Sequence, residues 1–404
     1  MKPASVRRIP SNIHCILPTQ QKNNNMPFSL EKVIRPNILA LTPYRCARDD
    51  YNAGILLDAN ENAYGPSLVK DLEGDLNRYP DPYHVRVKER LVKFRQLQST
   101  NNLFLGVGSD EVIDLLIRIC CVPGKDKILI TPPTYGMYSV CAQINDVQVV
   151  KSNLNVENGV FQLRTDDIAA CVKANPDIKI IFLCSPGNPT GTCLKHDSIR
   201  EVLESGYEGI VVVDEAYVDF VAGENGSVGT WVDKYPNLVV MQTLSKSFGL
   251  AGIRLGIAIA NPDLIQILNN TKAPYNIGTP SAQIAYDALS PEGLAKMEEY
   301  KSRLLAQRNV LLEKLQNFPV AGVGKILGTN DSNFIMVQIL NGQSEPCNVR
   351  ADKVYKLLAE TRDVVVRFRG KEYGCTGCLR ITVGTEQENE TLLAKLEEVL
   401  KESA

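Results

Sequence analysis

The chain has 404 residues, of which 44% are hydrophobic and 22% charged, an ordinary composition for a globular protein. Its 44 Lys and Arg nearly balance its 46 Asp and Glu, which excludes the strong positive charge typical of nucleic-acid binding. No run of about 18 apolar residues predicts a membrane span. The 3 histidines lack the spacing of metal ligands, so we expect no metal site.

The 11 cysteines are scattered along the chain, unlike the framework of a small secreted disulfide protein. Many lie in apolar stretches, where a free cysteine behaves as a small hydrophobic residue. This usage predicts a reduced, cytoplasmic protein. Only Cys375 and Cys378 have C-x-x-C spacing, and no second pair completes a zinc site, which leaves a redox role and a purely structural role as alternatives.

Residues 1–25 differ in composition from the rest of the chain. They contain four basic residues and three prolines but no Asp or Glu. Basic leaders without acidic residues are typical of organelle transit peptides, whereas prolines interrupt the amphipathic helix that such peptides form. The alternatives are a disordered leader, a targeting signal, or sequence upstream of a true start at Met26.

From Pro36 onward, short β-branched runs alternate with segments of helical periodicity. Apolar runs bounded by turn residues predict strands at 127–131, 178–184, 209–213, 238–242 and 255–260. Helices are predicted at 110–121, 135–145, 165–174 and 198–204. Near-continuously apolar strands that alternate with helices predict an α/β fold with a mainly parallel central sheet, covered on both faces.

Beyond Ser290 the pattern changes. A long charged helix at about 291–317 precedes strands near 333–339, 364–367 and 379–383 and helices near 350–360 and 386–401. This arrangement predicts a second, smaller α+β unit.

Parallel α/β sheets often bind nucleotides, so three nucleotide or hydrolase motifs need testing first. Residues 106–111 open a helix, but Glu111 stands where the G-x-G-x-x-G fingerprint needs glycine. Residues 211–215 have the form of a Walker B strand, yet no Gly-Lys pair is followed by the Ser or Thr of a Walker A motif. A G-x-S-x-G nucleophile motif is also absent, so none of these sites is predicted.

Two segments have the residues of an anion site. At 108–110 a glycine is followed by Ser109, a candidate N-cap, at the start of a helix whose free N–H groups can bind phosphate. After the strand at 238–242 come Thr243 and Ser245, and then Arg254, a set of donors suited to a phosphate dianion.

Further polar residues follow neighbouring strands. Lys246 lies among the anion-binding residues, where burial and nearby cations lower an amine pKa from about 10.4, as imine formation requires. Asp214, with Tyr217 three residues on, ends a strand and can keep a pyridinium nitrogen protonated. Asn188 lies between two prolines in a turn, and Tyr135 offers a flat ring for stacking. Five such groups on successive strand ends predict one organic cofactor site.

These motifs resemble those of the fold-type-I aminotransferases that use pyridoxal 5′-phosphate. The resemblance lies in 185–191 (SPGNPTG), 214–217 (DEAY) and 245–246 (SK) followed by Arg254. A closer resemblance, to the histidinol-phosphate aminotransferase family, lies in 41–44 (LTPY), 57–62 (LDANEN), 78–80 (RYP), 132–138 (PPTYGMY) and 377–384 (GCLRITVG). It runs from about residue 30 to 400, and Gly187 departs from it where many members have Asn.

The resemblance implies a role for each residue around the cofactor ring. Lys246 would bond to the cofactor aldehyde and move the proton between substrate Cα and cofactor. Asp214 would pair with the pyridine nitrogen, Asn188 and Tyr217 would bind the ring oxygen, and Tyr135 would stack. The implied phosphate ligands are Ser109, Asp110, Thr243, Ser245 and Arg254, together with Tyr79 from the other subunit of a homodimer.

The resemblance also implies the substrate ligands. Arg380 would bind the α-carboxylate of glutamate, and Arg367, with Tyr44 and Tyr275, the phosphate of histidinol phosphate. Asn60 in the LDANEN segment is assigned to the same site. Arginines that bind either anion suit two substrates that share one pocket.

The implied activity interconverts L-histidinol phosphate and 2-oxoglutarate with imidazole-acetol phosphate and L-glutamate, in L-histidine biosynthesis. The implied organisation is a leader at 1–25, an arm at 26–75 that contributes to the small domain and the dimer, a large domain at 76–290 and a small domain at 291–404. Two alternatives stay open: a threonine-phosphate decarboxylase, and a non-catalytic module that would be expected to lack Lys246 or Arg380.

Overall fold

The computed structural model describes residues 28–45, 55, 57–68, 75–223 and 226–403, so the predicted leader at 1–25 lies outside the described residues. Within these ranges a large sheet contains seven strands. They are β1 (Leu103–Val107), β2 (Lys127–Ile130), β3 (Gln148–Lys151), β4 (Ile178–Cys184), β5 (Ile210–Asp214), β6 (Leu238–Thr243) and β7 (Leu255–Ala260). A second sheet is formed by β8 (Val323–Leu327), β9 (Phe334–Ile339), β10 (Arg367–Phe368) and β11 (Cys378–Thr382).

The large sheet has the strand order β1-β7-β6-β5-β4-β2-β3. Strands β2 to β6 pair in parallel, and β7 runs antiparallel to both of its neighbours, β1 and β6. The predicted mainly parallel sheet is therefore confirmed. An apolar run does not encode strand direction, which is why the reversed orientation of β7 was not predicted.

Helices and short 3₁₀ turns connect the strands. The helices are α1 (Leu30–Val33), α2 (Pro36–Leu39), α3 (Val85–Arg95), α4 (Gly108–Cys120), α5 (Met137–Ile144), α6 (Thr165–Ala174), α7 (His196–Glu204), α8 (Pro262–Thr271), α9 (Thr279–Ala288), α10 (Pro291–Gln316), α11 (Asn348–Thr361) and α12 (Glu386–Glu402). Short 3₁₀ helices occur at Thr100–Asn102, Glu157–Gly159, Val218–Phe220, Gly229–Asp233 and Ala251–Ile253. Among the described residues, none of these helices has the length and apolar character needed to cross a membrane.

Alternate residues of the central strands pack into two separate cores. Ile210 and Val212 of β5 join the core beneath α4 and α5, whereas Val211 and Val213 join the core on the opposite face. All five residues of β5 are buried, as expected for a parallel strand with helices on both faces. Burial of each of the four apolar side chains of β5 contributes roughly 1.5–3 kcal/mol. The sheet is thus a stable support for the residues at its edge.

The second sheet has the order β10-β11-β9-β8, is antiparallel throughout, and packs against α10, α11 and α12 around a third core. Its strand β10 is Arg367–Phe368, later than the predicted 364–367. The boundary predicted between 290 and 291 falls at the N-terminus of α10 and stays a prediction. In the described part of the predicted arm, Val33 and Ile34 pack into a core of the large sheet.

Candidate functional site

A cavity of about 460 Å³ lies at the edge of the large sheet where the parallel strands end. Cys184 and Asp214, which end β4 and β5, line it, as does Thr243, which ends β6. Twelve of the sixteen predicted site residues line this cavity: Ser109, Asp110, Tyr135, Asn188, Asp214, Tyr217, Thr243, Ser245, Lys246, Arg254, Arg367 and Arg380. The structure therefore brings together residues of separate loops and of both sheets.

Lys246 lies three residues after β6, in the loop that leads to β7. Its Nζ is 5.6 Å from the centre of the Tyr217 ring. Burial, and next the positive charge of Arg380, lower the pKa of Lys246; Arg254 acts in the same direction, and Asp110 and Asp214 oppose it. A lowered pKa increases the fraction of neutral amine, which is the nucleophilic form.

Asp214 is 3% exposed at the end of β5. Its Oδ2 accepts a hydrogen bond from the Tyr138 hydroxyl at 2.6 Å, and its Oδ1 accepts one from the Ala216 N–H at 3.1 Å. Burial raises the pKa of Asp214 to about 6, and these two hydrogen bonds limit the increase. The carboxylate is therefore fixed in orientation and ionised near neutral pH, as pairing with a cationic ring nitrogen requires.

Two predicted aromatic residues line the same cavity. The Tyr217 ring packs edge-on against Phe334 at 5.2 Å, and burial raises the pKa of Tyr217 to about 12, although Arg380 opposes this. Tyr217 thus remains a hydrogen-bond donor at neutral pH. The Tyr135 hydroxyl donates to Oδ1 of Asp110 at 3.2 Å, which fixes its ring beside the start of α4.

Helix α4 begins at Gly108, two residues earlier than predicted. Its N-cap is Val107, whose N–H donates to Oε2 of Glu111 at 2.5 Å. The prediction of Ser109 as N-cap is therefore wrong, because Ser109 already lies within the helix. Its N–H and that of Asp110 belong to the first turn, whose N–H groups lack intrahelical partners and lie at the positive end of the helix dipole. This end of the cavity can bind an anion.

Arg254 lies against the same helix start. Its carbonyl accepts the Gly108 N–H at 3.0 Å, and its Nη2 is 3.5 Å from Oδ2 of Asp110. A Cβ at position 108 would lie 2.5 Å from Nη2 of Arg254, and Gly108 has φ +68°, so this approach requires glycine. Nearby, the Thr243 and Ser245 hydroxyls are 2.9 Å apart. Together these groups form a cradle of donors for an anion, which we call the anion cradle.

The smaller sheet contributes arginines to the opposite wall. Arg367 and Arg380 are register partners on β10 and β11, so their side chains lie on one face. Nη1 of Arg380 donates to Oδ1 of Asn188 at 2.5 Å, which leaves the NH₂ group of Asn188 to donate to a ligand oxygen. Nε of Arg380 is buried and has no hydrogen-bond partner among the described residues. An anionic ligand would satisfy it.

Sequence reasoning missed four residues that line the cavity and one beneath it. The additional lining residues are Cys184, Ala216, Ala251 and Arg369. Tyr138, whose hydroxyl bonds to Asp214, lies in an apolar stretch of α5 and had no signal beyond that of a core residue. Arg369 directly follows the two-residue strand β10 and could have been found from the alternation that places residues 367 and 369 on one face.

The other four predicted residues do not line this cavity: they are Tyr44, Asn60, Tyr79 and Tyr275. The Tyr79 ring is 52% exposed and stacks on Tyr275, with 4.6 Å between centroids. Tyr275 and Tyr44 line a separate pocket of about 50 Å³, and Asn60 is exposed. The structure of one chain therefore does not place Tyr44 and Tyr275 beside Arg367.

The C-x-x-C motif lies next to Arg380 but not in the cavity. Cys375 and Cys378 are both fully buried free thiols. The hydrogen bond to Cys378, together with burial, raises the pKa of Cys375 well above its usual range. No group of His, Cys, Asp or Glu in the described ranges is arranged to hold a metal ion.

Comparison with known proteins connects this geometry to a family. The model of aminotransferase class I and II matches residues 52–396. The histidinol-phosphate aminotransferase of Candida maltosa is 49% identical over 391 residues, which cover 93% of this chain and 99% of that protein. That of Saccharomyces cerevisiae is also 49% identical, over 93% and 98% of the two chains. Among solved structures, the fold is similar to the crystal structure of histidinol-phosphate aminotransferase from Sinorhizobium meliloti in complex with pyridoxal-5′-phosphate, with a TM-score of 0.72. The two sequences are 19% identical, and the match covers 86% of this chain and 90% of that chain. The chain therefore belongs to aminotransferase class I and II and, within it, to the histidinol-phosphate aminotransferases.

Proposed function

We propose that this protein is a pyridoxal-phosphate-dependent transaminase that interconverts L-histidinol phosphate and 2-oxoglutarate with imidazole-acetol phosphate and L-glutamate, in L-histidine biosynthesis. One observation carries the proposal: the Lys246 amine, the buried Asp214 carboxylate and the anion cradle line a single cavity. The activity of the relatives that are 49% identical over nearly their whole length supports it.

The donor set fits the cofactor. A phosphate matches the N–H groups of α4 with Arg254, a pyridine nitrogen matches the Asp214 carboxylate, and an aldehyde matches the amine of Lys246. When bound, pyridoxal phosphate supplies an aldehyde that condenses with amines and a ring that accepts the electrons of the substrate Cα–H bond. Asp214 keeps that ring protonated, because a fixed carboxylate favours the cationic form of the nitrogen.

Lys246 has two tasks in this proposal. Its neutral amine, favoured by burial and by Arg380, would hold the cofactor covalently through its aldehyde, with loss of water. With a substrate amine in the site, the freed Lys246 amine would move the proton between the substrate Cα and the cofactor. The donors Tyr217 and Asn188 would hold the ring oxygen and so keep the cofactor beside Lys246.

The arginines discriminate between the substrates. Arg380, which Asn188 orients, binds the α-carboxylate of glutamate as a bidentate partner. Arg367 is exposed at the rim of the cavity and binds the phosphate of histidinol phosphate. The partner subunit's copies of Tyr79, Tyr44 and Tyr275 complete the site in a homodimer. The exposure of Tyr79 and Tyr44, and the position of all three outside their own chain's cavity, support this. The described cysteines are free thiols, which supports a cytoplasmic location.

Absorbance spectra of the purified protein with pyridoxal phosphate test the proposal. We expect covalently bound cofactor that borohydride fixes to the chain, and conversion to the amine form on addition of glutamate. Lys246→Ala should abolish the fixation, whereas Lys272→Ala, a matched loss of another partly buried lysine of lowered pKa, should not. Fixation that persists in Lys246→Ala would contradict the assignment, and bound cofactor that glutamate fails to convert would favour a decarboxylase.

A further inference from the structure

A buried ion pair lies beside the cavity without lining it. Arg95, the last residue of α3, binds both carboxylate oxygens of Asp219, with Nη1–Oδ1 at 2.6 Å and Nη2–Oδ2 at 3.2 Å. Each of the two side chains is only 11% exposed. The hydroxyl of Ser247, itself buried, donates to Oδ2 of Asp219 at 2.5 Å. We call these three residues the Asp219 clamp.

The Asp219 clamp joins the two loops that carry the chemistry. Ser247 directly follows Lys246, and Asp219 comes two residues after Tyr217 in the segment that continues β5. A single carboxylate therefore fixes the lysine loop to the tyrosine turn, and Arg95 fixes both to α3. A second contact joins α3 to the lysine loop: Phe94, next to Arg95, packs edge-on against Phe248, next to Ser247, with ring centroids 5.7 Å apart.

The charges around Asp219 keep the clamp intact. Burial raises the pKa of Asp219, but Arg95, the hydrogen bonds from Arg95 and Ser247, and Lys301 of α10 outweigh it, so the pKa lies below the usual value. The carboxylate stays ionised at neutral pH. Loss of either partner would leave a buried charge or acceptor uncompensated.

We propose that Asp219 is a positioning residue for Lys246: it holds the lysine backbone, through Ser247, at a fixed distance from Asp214 and Tyr217. The inference rests on the proposed function. Lys246 transfers a proton between two atoms and must lie within hydrogen-bond reach of both. A misplacement of about 1 Å is enough to cost about a hundredfold in rate, so a loop lysine needs such an attachment. Lys246 itself has no ion pair among the described residues, and the ion pair of its loop, between Arg254 and Asp110, lies eight residues further along the chain.

Ser247→Ala in the cofactor-loaded enzyme tests this inference. The change removes one hydrogen bond and leaves the Arg95–Asp219 ion pair in place. The matched control is Ser227→Ala, because Ser227 also donates to a buried carboxylate, Oε2 of Glu215 at 2.6 Å, outside the lysine loop. The readouts are the pH midpoint of the bound-cofactor absorbance, which follows the covalent link to Lys246, together with kcat, KM and the thermal midpoint.

We expect Ser247→Ala to shift the absorbance midpoint by about half a pH unit or more and to lower kcat about tenfold, with KM for glutamate little changed. Ser227→Ala should change neither the absorbance midpoint nor kcat. Ser247→Thr, which keeps the hydroxyl, should have the wild-type midpoint. An unchanged midpoint in Ser247→Ala, or an equal shift in Ser227→Ala, overturns the inference.

If Ser247→Ala fails to fold, Ser247→Gly gives the same test, since it also removes the hydroxyl and leaves the Arg95–Asp219 ion pair in place. An unshifted midpoint in that variant overturns the inference as well. Wild-type protein that forms no borohydride-fixable link to pyridoxal phosphate overturns the proposed function, which distinguishes that failure from a failure of the clamp alone.

Discussion

The hydroxyl of Tyr138 donates a 2.6 Å hydrogen bond to Oδ2 of Asp214, at a point where both side chains are buried. The Tyr138 ring stacks on Phe182, with centroids 4.7 Å apart, so it cannot turn away without disrupting the core. A donor to a carboxylate favours its ionised form. Tyr138 therefore helps to set the pH at which Asp214 can hold a protonated ring nitrogen.

Tyr138→Phe should raise the pKa of Asp214 above its value of about 6, because burial would then act with one fewer opposing hydrogen bond. A hydrogen bond to a charged group contributes about 1.5–3 kcal/mol, so we expect a rise of about one pH unit. Cofactor affinity is measured by absorbance titration between about pH 5 and 8. As the pH is lowered, affinity should begin to fall at a higher pH in the variant than in wild type, because Asp214 is protonated sooner. Tyr207→Phe, which removes a buried tyrosine hydroxyl from the Ile178 carbonyl elsewhere in the core, is the control. Equal pH profiles for wild type and Tyr138→Phe would refute the role.

Glu215 should make folding stability decrease as pH rises. Burial raises its pKa to about 7, although hydrogen bonds from Ser227, Val228 and Gln242 oppose this. The folded protein therefore retains a proton that the unfolded chain releases near its ordinary pKa of 4.5. The stability gained from that proton is present below pH 4.5 and is lost as pH rises through about 7.

Glu215→Gln should remove this dependence, because it has no proton to lose. Urea unfolding of the cofactor-free protein should show the variant gaining on wild type between about pH 5 and 8, by at most about 3 kcal/mol. A difference that is constant across this range would show that Glu215 does not titrate there.

Arg367→Ala should affect the phosphorylated substrate selectively. Loss of charge-assisted hydrogen bonds to a phosphate should lower kcat/KM for histidinol phosphate by about ten- to a hundredfold, and amino donors without a phosphate should be affected far less. Arg362→Ala, which removes surface ion pairs to Glu398 and Glu402 in the same part of the chain, should change neither. Equal losses for both classes of donor would assign Arg367 to folding instead of substrate recognition.

Mixing two inactive variants tests the shared site. Tyr79 lies outside its own chain's cavity, so a Tyr79→Ala subunit keeps an intact Lys246 and a Lys246→Ala subunit keeps an intact Tyr79. If sites are shared between subunits, each mixed dimer has one complete site, and full exchange should restore about a quarter of the sites. Steady-state assays before and after subunit exchange measure the gain. No recovery in a mixture shown to contain mixed dimers would mean that each subunit is self-contained.

The sequence predicted much of the site because parallel strands place their carboxyl ends at one edge. Asp214, Asn188 and Lys246 follow different strands, yet each strand end was recognisable from an apolar run and a turn signal, so their meeting could be inferred. Arg380 and Arg367 depended on the family resemblance, since nothing local in an arginine on a short strand indicates which cavity it faces.

Other features had no local signal. Tyr138 and Ser247 are spaced like core and loop residues, and only the folded chain places them beside Asp214 and Asp219. The N-cap of α4 was also mispredicted, since it is Val107 and lies two residues before Ser109. Tyr44 and Tyr275 line a pocket separate from Arg367, and the strand pattern did not indicate this.

The reversed strand β7 has one further consequence. The chain leaves the cavity edge after Thr243 and returns as β7, where Gly256 pairs with Thr243, so Lys246 and Arg254 lie on one short connection held at both ends. This connection, together with the Asp219 clamp at one end and the contacts of Arg254 with Gly108 and Asp110 at the other, sets the spacing between the amine and the guanidinium, and hence the length of ligand that can engage both. An insertion or deletion between residues 246 and 254 would therefore change which ligand lengths fit.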